Sequence, residues 1–327
     1  MKILNKDYKI IDTFDSVVTV PDCFVLGQNK VGRGHGEAKL YFGSKTAMRE
    51  FYGTSGFRAN CFVLKADLLE YHNLVKREYF NPSQNYIGKD RFKEIWKERL
   101  DYINSFGDVI EFTITDQHQI AGERGYVNSS DSGYRLIREI SLSQISFISA
   151  MKLQLGAEVK YYWKLFVDFD KISELQDALV YNYGHKGDTL VTPRERKLVD
   201  TISKARVGQG RYREQLLEEC PFCPITMVND ERLLIASHIK PWSMSNDKEK
   251  VDPKNGYMLT PLYDKLFDKG FITFTDDKRM VVSDWLSPKN RKRLNLEDNK
   301  QYPHLLMDDQ RKQYLIFHRE AIFKGQL

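Results

Sequence analysis

His238, Asn255 and Asp264 stand in an order that suits phosphodiester hydrolysis. His238 closes an apolar run, Ala236-Ser237-His238-Ile239-Lys240-Pro241-Trp242. An imidazole at the end of a strand can take a proton from water near neutral pH, and the hydroxide so formed can attack phosphorus in line. Asn255 sits in Asp252-Pro253-Lys254-Asn255-Gly256, a turn sequence that can brace the loop behind the base. Asp264 follows in Leu262-Tyr263-Asp264-Lys265-Leu266-Phe267-Asp268-Lys269-Gly270. Its carboxylate is a hard oxygen donor, suited to Mg²⁺ or Mn²⁺ held on a rigid helix.

Local signals predict the elements that position these groups. A strand over 232–239 delivers His238, and a return strand follows over 257–260. A short helix over 261–268 starts at Pro261, a residue favoured at the first helical position. A hairpin is expected over 271–274 and 280–283, around Asp276-Asp277-Lys278. Upstream, Thr192-Pro193 opens a helix over 193–205. Gly208-Gln209-Gly210 breaks it, and a second helix runs over 211–219. Residues 184–188, Gly-His-Lys-Gly-Asp, read as a linker. Before them the chain mixes expected strands (17–20, 61–64, 109–114, 161–167) with expected helices (45–51, 67–77, 89–100).

The stretch from His238 to Gly270 resembles the HNH nuclease family, in which a ββα unit grips one divalent metal. The resemblance covers roughly residues 205–285 and implies that His238 is the general base and Asn255 the brace of its loop. It implies that Asp264 is the metal ligand, at a position where the family usually has His or Asn. Ser237 stands where many members have Asp. Upstream, Val207-Gly208-Gln209-Gly210-Arg211-Tyr212-Arg213 resembles the helix that precedes the motif in one branch of the family. By that likeness Arg211 and Arg213 contact backbone phosphates, with Lys240, Lys265 and Lys269 as lesser candidates.

Composition allows this reading without demanding it. The 327 residues are 41% apolar and 29% charged, with a net charge of +5 and a pI near 8.8. That length allows two domains, each with its own core. The basic excess is concentrated: seven bases and two acids lie between Thr192 and Arg213. Such a segment beside the motif is the electrostatic footprint of phosphate contacts. No apolar run approaches a membrane span, and the N-terminus has no signal-peptide stretch, so a cytoplasmic location is expected.

Three other patterns are discounted. Cys220-Pro221-Phe222-Cys223 has zinc-knuckle spacing, but no second pair follows, so it reads as apolar packing. Gly43-Ser44-Lys45-Thr46 lacks the glycine spacing of a phosphate loop and reads as a loop before a helix. Asp22 with Glu37-Ala38-Lys39, and separately Glu158-Val159-Lys160, match by chance the carboxylate-lysine pattern of another nuclease fold.

The expected architecture is α+β. A mixed α/β domain over 1–190 selects the DNA site, and a ββα-metal (HNH) nuclease domain over 191–327 cuts. The expected activity is site-specific cleavage of double-stranded DNA with Mg²⁺ or Mn²⁺, of a restriction or phage-defence type, with a homodimer possible. The alternatives are a DNA-binding protein with a degenerate site and a homing or mobile-element endonuclease.

Overall fold

The structure is a computed structural model. It describes every residue except 16–17, 20–39, 83–85, 87–88, 118–121, 143–144, 170–209 and 326–327. The chain divides into two compact units, Met1–Ile172 and Ser173–Leu327. The expected linker 184–188 and helix 193–205 lie outside the described residues. So do most of the basic segment 192–213 and the Asp22 and Glu37–Lys39 pattern.

The first unit opens with a small hairpin of β1 (Lys2–Ile3) and β2 (Lys6–Asp7). There follow β3 (Lys9–Thr13), β4 (Val18–Thr19), β5 (Leu40–Ser44), α1 (Lys45–Tyr52), β6 (Arg58–Leu64), α2 (Lys65–Leu74), α3 (Lys76–Phe80) and α4 (Phe92–Asn104). The unit finishes with β7 (Val109–Asp116), β8 (Arg124–Asn128), α5 (Ser132–Ile140), β9 (Ser146–Leu155) and β10 (Glu158–Val167). The main sheet has the order β10-β6-β7-β8-β5-β4-β9-β3, and β10 also pairs with β9 along their full lengths. The sheet therefore closes on itself as a barrel. Strands β3 and β4 lie end to end on the free edge of β9. Closure gives the ring strands partners on both sides and removes their exposed edges.

Alternation decides what fills the barrel. On β7, Ile110, Phe112 and Ile114 are buried while Val109 and Glu111 are exposed. Trp163 of β10 is fully buried, with Phe42 and Phe112 rings at 5.2 and 5.1 Å. Ser44 caps α1 by accepting from the Ala47 amide, so Gly43-Ser44-Lys45-Thr46 is the turn into that helix. The helix expected over 67–77 is broken at Val75 into α2 and α3.

The second unit contains α6 (residues 210–219), β11 (Ile235–His238), β12 (Gly256–Leu259), α7 (Pro261–Asp268), β13 (Ile272–Phe274) and β14 (Met280–Val282). Then come α8 (Pro288–Arg293) and α9 (Asp309–Phe317), which runs on into a wider turn at His318–Ile322. Helix α7 packs on β11, β12 and β13. Leu216, Tyr257, Leu259, Phe267 and Phe274 centre the core. The strand expected over 232–239 is shorter than its apolar run, because Glu231–Leu233 form a 3-10 turn capped by the Asp230 carboxylate.

Candidate active site

Strands β11 and β12 pair antiparallel, with Ser237 opposite Tyr257 and His238 opposite Gly256. Asn255-Gly256 is not a two-residue hairpin turn, despite the sequence signal. Asn255 ends a 3-10 turn, Pro253–Asn255, and Gly256 is extended at φ −167°. Glycine is required there by space. A Cβ at 256 would lie 1.8 Å from the Tyr212 hydroxyl and 2.9 Å from the Ser237 carbonyl oxygen.

That hydroxyl belongs to a ring buried beneath His238. Tyr212 of α6 stacks on the imidazole at 4.2 Å and 15°, and Trp242 meets the same ring edge-on at 5.6 Å. His238 Nε2 lies 3.0 Å from the Lys250 carbonyl oxygen. A carbonyl only accepts, so Nε2 carries the proton and Nδ1 keeps its lone pair. No described residue hydrogen-bonds to Nδ1. Burial lowers the His238 pKa to about 4, and the Lys250 carbonyl partly opposes the shift. The ring is therefore neutral at pH 7.

Asn255 holds the loop that supplies that carbonyl. It is fully buried, and its Oδ1 accepts from the Lys240 amide at 2.8 Å. Its Nδ2 donates to the Lys240 and Glu249 carbonyls at 3.2 and 3.0 Å, and to Ser245 Oγ at 3.3 Å. One side chain thus ties both ends of the loop between His238 and Lys250. Its own carbonyl accepts from the Ile239 amide and the Tyr212 hydroxyl, both at 3.0 Å. Burial keeps that hydroxyl protonated and able to donate.

The basic side chains expected to face DNA divide into two kinds. Arg211 is exposed. Arg213 is occupied by the protein: its guanidinium donates to the Leu234 and Glu231 carbonyls at 2.7 and 2.6 Å, fixing α6 against the entry to β11. Lys240 is occupied too. Its ammonium bonds both Glu249 oxygens at 2.8 and 2.7 Å and lies over the Phe317 ring. Both donors are spent on carbonyl or carboxylate groups that sequence spacing does not reveal.

Asp264 is half-buried in the first half of α7, on the element that packs against β11 and β12. Ser237 Oγ is buried without a hydrogen-bond partner. Among the described residues, no group of three or more His, Cys, Asp and Glu side chains converges to hold a metal. A carboxylate oxygen and an orphaned hydroxyl still suit Mg²⁺, which keeps several waters and takes one or two protein carboxylates besides substrate phosphate. Cys220 and Cys223 are buried thiols, and Cys223 lies in the core of the unit.

Sequence reasoning missed Tyr212, Glu249 and Arg311 as parts of this site. Arg311 of α9 is 1% exposed and donates to the Gly256 and Pro253 carbonyls at 3.3 and 3.2 Å. It also pairs with Glu219 of α6 and Asp308, so three distant segments meet at the Asn255-Gly256 corner. In sequence it is one more charge on a polar helix. Tyr212 alone had a local signal, as the aromatic between Arg211 and Arg213.

Residues 223–275 match the family model of HNH endonucleases. The match takes in His238, Asn255 and Asp264. No curated protein matches the chain.

Proposed function

We propose that this chain, whose C-terminal unit carries an HNH endonuclease domain, is a site-specific endodeoxyribonuclease of a restriction or phage-defence kind. The observation that carries the catalytic assignment is the state of His238: a neutral imidazole with Nε2–H locked onto a backbone carbonyl and Nδ1 left with its lone pair. In this reading Nδ1 takes the proton of the attacking water. The hydroxide displaces the leaving oxygen at phosphorus. Asn255 keeps the Lys250 carbonyl in place, so the imidazole neither rotates nor changes tautomer. The Tyr212 face and the Lys250 carbonyl both favour the imidazolium that forms. A base with a pKa near 4 is fully available at pH 7 but weak. The negative charge of a bound phosphodiester raises it toward a useful range.

Asp264 would hold Mg²⁺ or Mn²⁺, with the unpartnered Ser237 hydroxyl as a weaker oxygen donor. The bound ion supplies stabilisation of charge on the phosphate and leaving oxygens. Arg211 contacts backbone phosphate. Such contacts position DNA but carry no sequence information, so selection of the site falls to the barrel unit. Duplex cleavage on both strands would follow from a homodimer.

The test is cleavage of unmodified and modified plasmid with Mg²⁺ or Mn²⁺, comparing wild type with His238→Ala and Asp264→Asn. Discrete fragments from wild type alone support the reading, and chelation should abolish them. Ser237 and Asp264, standing where the family usually has Asp and His or Asn, favour one rival, a DNA-binding protein with a degenerate site. DNA binding by wild type without cleavage of any substrate would establish that rival.

A further inference from the structure

Many of the described cations of the C-terminal unit are paired with carboxylates. Lys240 bonds Glu249, Lys250 bonds Asp247, Arg279 bonds Asp277, Lys312 bonds Asp309 and Arg319 bonds Asp276. Helix α8 breaks that pattern. Lys289, Lys292 and Arg293 are exposed, and none of their side chains makes a hydrogen bond or ion pair with a described residue. No Asp or Glu occurs between Asp284 and Glu297, and those two carboxylates are taken by Arg291 and Lys300.

The helix holding these charges is fixed. Ser287 caps it by accepting from the Asn290 amide, and Pro288 occupies its first turn. Arg291 faces inward and donates to the Val282 and Leu286 carbonyls at 3.1 and 3.3 Å. Leu294 and Leu296 then pack on the core. Positions 289, 292 and 293 are spaced i, i+3, i+4, so the three cations share one face of the helix. Like charges so placed repel one another, and a polyanion would relieve the repulsion. Lys289 and Arg293 are about 6 Å apart along the axis. Duplex DNA presents a charge about every 3.4 Å along each strand, within reach of such flexible side chains.

We propose that this face of α8 is a contact surface for the phosphate backbone of duplex DNA, additional to the Arg211 end of α6. The proposal rests on the reading of the chain as a DNA endonuclease and lies outside the matched segment 223–275. It adds affinity and register, not base specificity.

The test uses the full chain with chelator present, so that no cleavage occurs, and a fluorescently labelled duplex of arbitrary sequence. Dissociation constants are measured from 50 to 200 mM salt for wild type, for Lys289→Ala/Lys292→Ala/Arg293→Ala, and for Lys289→Arg/Lys292→Arg. Each phosphate contact contributes about 0.9 to the slope of log K against log salt. Losing three should flatten the slope by about 2.7, so that over this range wild type loses about 40-fold more affinity than the triple variant. The double Arg variant keeps the wild-type slope. An unchanged slope in the triple variant, with wild type binding DNA, overturns the α8 surface and leaves the nuclease reading standing. Wild type that binds no duplex overturns both. A flattened slope from a protein that cuts nothing keeps the surface and removes the nuclease. Phosphatidylglycerol vesicles serve as a control: loss of vesicle binding with an unchanged DNA slope overturns the proposal in favour of a membrane surface.

Discussion

Asn255→Ala is the perturbation that bears most directly on how the site is held. The substitution removes one acceptor and two donors from a fully buried position. The Lys240 carbonyl keeps a partner, since Ser245 Oγ also donates to it at 3.1 Å. The Lys240 amide and the Glu249 carbonyl lose the bonds that Asn255 gave them. Each buried backbone group left unpaired costs about 1–3 kcal/mol. These groups are only partly shielded, and water can enter the space vacated by the amide, so the total should be about 2–4 kcal/mol. Local opening of the loop should then become roughly 30- to 1,000-fold more frequent. Hydrogen exchange at the Lys240 amide reads this directly, and urea titration reads the global change. Catalysis should suffer in parallel. The Lys250 carbonyl, freed from its brace, no longer fixes the His238 ring, and kcat should fall by about two to four orders of magnitude while KM changes little. A Lys240 amide that exchanges at the wild-type rate, with stability unchanged, would refute the brace. Altered exchange with normal kcat would leave the brace standing and sever it from catalysis.

Three further outcomes are expected. His238→Ala should lower cleavage by about 10²- to 10⁴-fold with DNA binding retained, and a residual rate near wild type would assign the base elsewhere. Gly256→Ala should destabilise the unit, because its methyl group meets the Tyr212 hydroxyl at 1.8 Å. Adding Tyr212→Phe removes that oxygen, so the double variant should be more stable than the sum of the singles, and strict additivity would argue against the contact. Acid should destabilise the chain early. Burial, the leading cause in each case, lowers the pKa of His72 and His238 to about 4 and of His318 to about 3. A folded pKa below the unfolded value near 6.5 means the unfolded chain binds the proton first. Stability is therefore full above pH 6.5 and falls as pH drops toward 4. A urea midpoint constant between pH 6.5 and 4.5 would contradict this.

Sequence and structure agree best where the signals are local. The bounds of α7 follow from Pro261 at the first turn and an apolar stripe of Leu266 and Phe267 beside charged neighbours. The β13–β14 hairpin follows from apolar runs either side of Asp276-Asp277-Lys278, where Lys278 takes a positive φ of 66°. In the barrel, β6, β7 and β10 were legible as β-rich runs. Strand β9 was not, because Ser146, Lys152 and Gln154 interrupt its apolar residues.

What the sequence by itself determined was the order of chemical groups: a histidine closing one strand, an asparagine just before its partner and a carboxylate on the helix that follows. Those residues are near one another along the chain, so short-range propensity and side-chain period suffice to place them. The tertiary structure alone decided which cations are spent inside the protein. Arg213 and Lys240 look like DNA contacts until the Glu231 and Leu234 carbonyls and the Glu249 carboxylate come within hydrogen-bond distance. It alone decided that Tyr212 lies under the His238 ring, that Arg311 joins α6 and α9 to the Asn255 corner, and that the sheet closes through β9 and β10. Each of these except the β9–β10 hairpin joins segments far apart in sequence, and even that hairpin closes a ring whose other members are distant. Such pairings arise from packing and from the need to satisfy buried polar groups, and no local pattern encodes them.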